Sequence, residues 1–223
     1  MPEPKLKFSD KNNIAKLDLK VKPNSSSASA STLSNLINKG NDNYKINFHL
    51  PTKIETDMNF NFGLGKVDID FSGIRISNLI MDCGLSDVTL VSKKPNIISC
   101  DNIHISTGIS DFNSFGLGNF NSSKYTFDVG MGSAEIDMSG SVNNDAIVKI
   151  EVSVGSLELR LPSNTNINLS INQNMLSSVN VKDLVSVGEG RYESKDYQKR
   201  WSSMNIEISV GIGSVDISTV KKH

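Results

Sequence analysis

Apolar and polar residues alternate over much of the chain, and glycine interrupts the alternation at regular intervals. From Phe60 to Phe71 the apolar positions are Phe60 and Phe62, then Gly63-Leu64-Gly65 intervenes, then apolar positions resume at Val67, Ile69 and Phe71. The same figure returns from Met81 to Leu90, Ile105 to Phe112, Phe127 to Met138, Ile150 to Leu161 and Ile206 to Ile217. The small residue that opens each interruption falls at 63, 84, 108, 130, 153 and 211. The first five are separated by 21, 24, 22 and 23 residues and the last pair by 58. A recurring period of this length marks a repeat architecture.

Strict alternation reads as a strand with one buried face, because successive side chains point to opposite sides. Val67, Ile69 and Phe71 then face one way, and Asp68 and Asp70 the other. Glycine at the interruptions supplies a backbone shape that a Cβ would oppose. The structural turns are accordingly placed at Gly63, Gly65, Gly84, Gly108, Gly130, Gly132, Gly155, Gly211 and Gly213. The apolar residue within each turn (Leu64, Leu85, Ile109, Met131, Val154, Ile212) is expected to plug the corner into the core. One unit alone cannot bury its apolar row; stacking at the roughly 4.8 Å strand spacing can. The predicted fold is all-β, a β-solenoid or stacked-sheet repeat with one short N-terminal helix.

Outside the repeats the pattern changes. Residues 1–10 read as a weakly tied tail, residues 14–21 as a strand, and residues 23–31 as a Ser-rich break. Thr32 to Lys39 reads as a short helix, with Ser31 as N-cap and Gly40 as stop, placed to cap the end of the stack. Tyr44 to Leu50 alternates as a strand and ends at Pro51. Residues 54–162 hold five repeats, and residues 163–203 leave the period before the sixth. The departure contains an alternating strand, Ile167 to Ile171, and a charged, aromatic segment from Arg191 to Trp201. This gives an N-terminal segment 1–43, a repeat domain 44–218 and a tail 219–223.

Composition narrows the function classes. Hydrophobic residues make up 37%, low for a compact globule and natural for a layered repeat with much wet surface. The 23 basic and 24 acidic residues leave a formal charge of −1, which argues against nucleic acid as a partner and gives no electrostatic pull toward anionic lipid. No run reaches the roughly 18–20 apolar residues of a membrane-spanning helix. The first residues lack the apolar core of a secretory signal. The expected location is therefore cytoplasmic, or the cell envelope or extracytoplasmic space if an upstream signal has been removed. Cys83 and Cys100 are too few for a disulfide framework. They read as one bridge or as two reduced thiols, Cys83 being a small buried hydrophobe.

The sequence shows little chemistry. His49, His104 and His223 are scattered, without metal-ligand spacing, and His104 falls on an outer strand face. No Gly-x-Ser-x-Gly elbow is present, and Gly188-Glu189-Gly190 lacks the Lys-Ser/Thr of a phosphate-binding loop. No residue is assigned to catalysis, to a cofactor or to a metal, and the chain reads as a non-enzyme. Asp68, Thr89, Asn113, Glu135, Glu158 and Asp216 occupy equivalent outward positions, joined by Asp70 and Asp137. Stacked, they form a ladder that serves solubility or offers oxygens to Ca²⁺. Arg191, Tyr192, Tyr197, Arg200 and Trp201 form either a partner surface, since these residue types are enriched at binding hot spots, or a cap over the final coil.

Phe62-Gly63-Leu64-Gly65, Val129-Gly130-Met131-Gly132, Val154 to Pro162 and Val210 to Val215 together resemble the bacterial toast-rack domain. They are similar, more distantly, to adhesin-like domains (DUF4097-like) and to the C-terminal domain of LiaF-type stress proteins. The likeness covers about residues 44–218. It implies a stacked β fold, usually displayed in the cell envelope, with no established enzymatic residues. The function it implies is a surface scaffold that engages a protein or glycan. The alternative is a regulatory or self-assembling module of a cell-envelope stress response, associating through its end coils.

Overall fold

The structure is a computed structural model that describes residues 5–11, 14–20, 50, 52–142, 144–173 and 175–221. The chain divides into two compact units, Met1–His49 and Leu50–His223. In the first unit, strands β1 (Lys5–Lys11) and β2 (Ile14–Lys20) pair antiparallel, Lys5 opposite Lys20 and Lys11 opposite Ile14. Residues 5–10, expected as part of the tail, therefore belong to a strand: the alternation of Leu6 and Phe8 with lysines is as strand-like as that of residues 14–20. The expected helix at 32–39 lies outside the described residues, as does the expected strand at 44–50 except for Leu50, which is not in a strand.

The second unit is built on long parallel strands. These are β3 (Glu55–Asp70), β4 (Arg75–Val91), β5 (Asn102–Phe115), β6 (Lys124–Asp137) and β7 (Ala146–Pro162). After them come β8 (Asn166–Gln173), β9 (Ser177–Val181), β10 (Leu184–Gly188), β11 (Arg191–Ser194) and β12 (Ser203–Val220). Each of β3 to β7, and β12, is one repeat. Its glycine lies inside the strand and bends it into two legs.

On the first leg of β6, Tyr125, Phe127 and Val129 point into the core; on the second leg, Ala134 and Ile136 do, followed by Met138. The alternation skips one residue at the corner, where Gly132 takes φ +127°. Buried apolar side chains of this size each contribute about 1.5–3 kcal/mol. The third side of the coils is irregular, and two buried asparagines tie it together. Asn119 donates to the Ser92 carbonyl (2.7 Å) and accepts from the Ser141 amide (2.9 Å). Asn96 donates to the Ile76 carbonyl (2.6 Å) and the Phe120 carbonyl (3.3 Å). The 3₁₀ turn Leu117–Phe120 sends Phe120 inward, edge-on to Phe71 with ring centroids 5.5 Å apart.

Stacking follows the chain from β3 to β7, and then the order changes. β12 lies between β7 and the β8/β9 pair. It pairs with β7 from Met204–Ala146 to Val220–Pro162. Its first leg pairs with β8 and its second with β9, all parallel. The segment that left the period in sequence thus contributes one more coil, β8 with β9, beyond the sixth repeat. This coil lacks a glycine corner; its legs are separate strands. The hairpin β10–β11 then adds to the far edge of β8 in antiparallel fashion.

Candidate interaction surface

Register places the sequence-equivalent residues side by side. Leu64, Leu85, Ile109, Met131, Val154 and Ile212 form one column across β3, β4, β5, β6, β7 and β12. The expectation that these six plug the core is overturned: they are 36 to 54% exposed. The cause is the skipped residue. The inward run of the first leg stops at Phe62, Cys83, Thr107, Val129, Val152 and Val210; the apolar part of the second run begins at the column of Val67 and Ala134, two residues after buried Ser86 and Ser110 on their own strands. The side chain between the two runs falls at the corner itself, past the end of the packed interior.

Small residues flank this ridge on both sides. One flank holds Gly63, Gly84, Gly108, Gly130, Ser153 and Gly211. The other holds Gly65, Ser86, Ser110, Gly132, Gly155 and Gly213. Backbones approach closely here. A Cβ on Gly84 would lie 2.6 Å from the Gly63 carbonyl oxygen, and one on Gly108 would lie 2.7 Å from that of Gly84. In the second flank Gly65, Gly132, Gly155 and Gly213 also have positive φ. Where serine replaces glycine, the Ser110 hydroxyl donates to the Ser86 carbonyl. The apolar ridge therefore stands proud of two shallow gutters. Around it lie Asp82, Asp128 and Glu151 on one side and Asp87 and Asp111 on the other, against a single base, Lys66. The rim is acidic.

The outward ladder of Asp68, Thr89, Asn113, Glu135, Glu158 and Asp216 is also one column, extended by Asn180. Arg160 pairs with Glu135 and with Glu158 (2.7 Å), and Asn180 donates to Asp216 (2.8 Å). Asp70 and Asp137 stand two residues further along, each capping the amide two residues on. Among the described residues no cluster of His, Cys, Asp and Glu has the arrangement to hold a metal ion. His104 sits on the outer face with Nε2 3.7 Å from an Asp128 oxygen.

The aromatic segment is divided by the fold. Arg191 and Tyr192 lie on β11, and Tyr192 packs against the core. Tyr197, Arg200 and Trp201 lie on the following loop, with Tyr197 72% exposed and Trp201 half-buried. Buried Asn166 holds this loop, donating to the Gln198 carbonyl (2.9 Å) and the Trp201 carbonyl (3.0 Å) and accepting from the Gln198 amide (2.9 Å). Arg191 and Tyr192 line an open groove of about 290 Å³, together with Ile147, Asn168, Val187 and Glu207. Sequence reasoning did not find this groove, because Ile147 and Val187 meet Tyr192 only through the unanticipated strand order.

Cys83 and Cys100 are both buried and free. Burial pushes each thiol up to about 11. No helix among the described residues is long and apolar enough to cross a membrane.

Residues 2–111 match the family model described as the N-terminal domain of toast_rack, DUF2154. The match begins well before residue 44, where the resemblance read from the sequence begins, and ends inside β5. No curated protein gives a significant match. A crystal structure of a "putative cell adhesion protein from Clostridium sporogenes ATCC 15579" is similar at 19% identity, with a TM-score of 0.46, covering 74% of this chain and 93% of that one.

Proposed function

Because the chain belongs to the toast-rack family through its N-terminal half, we propose that it is a non-enzymatic scaffold of the cell envelope that docks a protein partner along the corner ridge. The exposed column from Leu64 to Ile212 carries this reading. Six aliphatic or thioether side chains in a row, at the spacing of parallel strands, make a strip about 24 Å long. Soluble surfaces seldom leave apolar groups so aligned without a use. The strip offers no hydroxyl or amide of its own, so it suits an apolar protein row better than a glycan. Its acidic rim opposes anionic lipid and favours a partner with basic flanks.

The test is site-specific photo-crosslinking in the cells that make the protein, with the probe at Met131 and a control probe at Lys149 on an outer strand face. The expected result is one discrete protein adduct at Met131 in the envelope fraction, lost when Ile109 and Val154 are both changed to Ser. Equal adduct patterns from the two positions, or recovery of the protein only in the cytoplasmic fraction, would overturn the reading.

A further inference from the structure

The two ends of the stack differ. At one end the β10–β11 hairpin covers the first leg of the last coil. At the other, β3 pairs with β4 along fifteen positions, and among the described residues no strand pairs with its outer edge. Unpaired edges of this length template further pairing. Half-buried Phe60, Phe62, Val67 and Ile69 lie along the strand, with Phe60 and Phe62 stacked 5.6 Å apart.

Gly63 adds a second observation. In the neighbouring coils Gly84 and Gly108 are sterically required, because the carbonyl of the preceding strand sits where their Cβ would be. That side of Gly63 is the open edge of β3. No atom lies within 4 Å of a Cβ built there, and Gly63 has no positive φ. Nothing in the described coil requires glycine at 63, but another backbone seated on this edge would.

We propose that the occupant is a second copy of this chain, bound edge to edge through β3 about a two-fold axis at the Gly63–Leu64 corner. The corner dictates the geometry. A two-fold axis along the bisector of the bend lays the first leg of one copy over the second leg of the other, antiparallel. The skipped residue makes the faces agree. Inward positions are even-numbered on the first leg and odd-numbered on the second, so Phe60 of one copy opposes Val67 of the other and Met58 opposes Ile69. Outward, Asn61 opposes Lys66 and Asn59 opposes Asp68. A register one residue away would set Phe60 against Lys66 and turn an apolar row to solvent. The parity break therefore sets the axis between Gly63 and Leu64 rather than on a residue. At the ends Asp57 opposes Asp70, so association strengthens as salt rises.

The experiment is light scattering of the full chain after size exclusion, across a concentration series. The expected mass is twice the 24.3 kDa of one chain. Gly63→Val, placed in open space at an ordinary φ, keeps the strand spectrum and halves the mass at the same concentration, and its melting temperature matches the parent's where dilution has made both single chains. An Asn61→Cys/Lys66→Cys chain forms interchain disulfides on mild oxidation and loses them when Gly63→Val is added. A single-chain mass throughout, as expected if other residues of this chain or a foreign strand cover the edge, would overturn the proposal. So would a doubled mass that Gly63→Val leaves intact.

Discussion

The carbonyl oxygen of Gly155 occupies the place that a side chain on Gly213 would need, and Gly213 itself is held at φ +145°. Both constraints act at once. Gly213→Ala combines an unfavourable backbone region with a backbone clash that no rotamer relieves, and is expected to cost about 3 kcal/mol or more. Gly63→Ala, on the other flank of the corner and without either constraint, is expected to change stability by less than about 0.5 kcal/mol. Chemical denaturation of the two variants under conditions that keep the chain monomeric measures the contrast.

The corner ridge and the buried rows should respond oppositely to truncation. Met131→Ser is expected to shift stability by no more than about 0.5 kcal/mol, because its side chain already meets water. Leu159→Ala, five columns from the ridge, is expected to cost about 2–5 kcal/mol. Equal losses in urea titrations would mean that the corner residues are packed after all.

Asn119 joins three coils through its amide. Asn119→Ala strands the Ser92 carbonyl and the Ser141 amide in a buried site, and about 2–4 kcal/mol of stability should go with them. Asn119→Asp retains an acceptor for the Ser141 amide but loses the donor to Ser92, and should fall between the two. Hydrogen exchange at Ser141 reports the local part of the loss directly.

The thiols give a pH signature. Folded Cys83 and Cys100 titrate near 11, above the ordinary value of 9.0, so the unfolded chain releases these protons first. The unfolded state then binds fewer protons than the folded one, and stability must fall as pH rises from about 9 to about 11. Below about 9 the contribution is fully present. Cys83→Ala/Cys100→Ala should flatten that part of the pH–stability curve, and iodoacetamide at pH 8 should label the native chain far more slowly than the denatured one.

Much of this fold was legible because strand parity is a local code. Val67-Asp68-Ile69 and its five counterparts state which side is inward, and the recurring glycines state the period. The corner residues were misread for the same reason. Parity counted from Phe62 puts Leu64 inside, and only the backbone bend at Gly65 shows that one residue is skipped. The place of β12 was hidden as well. Ile206 to Ile217 repeats the pattern of every other coil and contains nothing that tells it to insert between β7 and the β8/β9 coil rather than stack beyond that coil. Of the segment singled out by aromatic and basic residues, only Arg191 and Tyr192 reach the groove. The partners that shape it, Ile147 and Val187, look in sequence like ordinary strand residues.

The place of β12 separates the order of synthesis from the order of assembly. Repeats β3 to β7 can each settle on the one made before, but β8 and β9 emerge with no finished surface to join. They must wait for residues 203–220, about 40 residues after β9, which at 5–20 residues per second is roughly 2–8 s. During that interval the β7 edge and the β8 strand are both uncovered, and the arriving strand has to slip between them as a wedge. A nascent chain stalled near residue 202 should therefore be far stickier than one stalled at 162 or at 221.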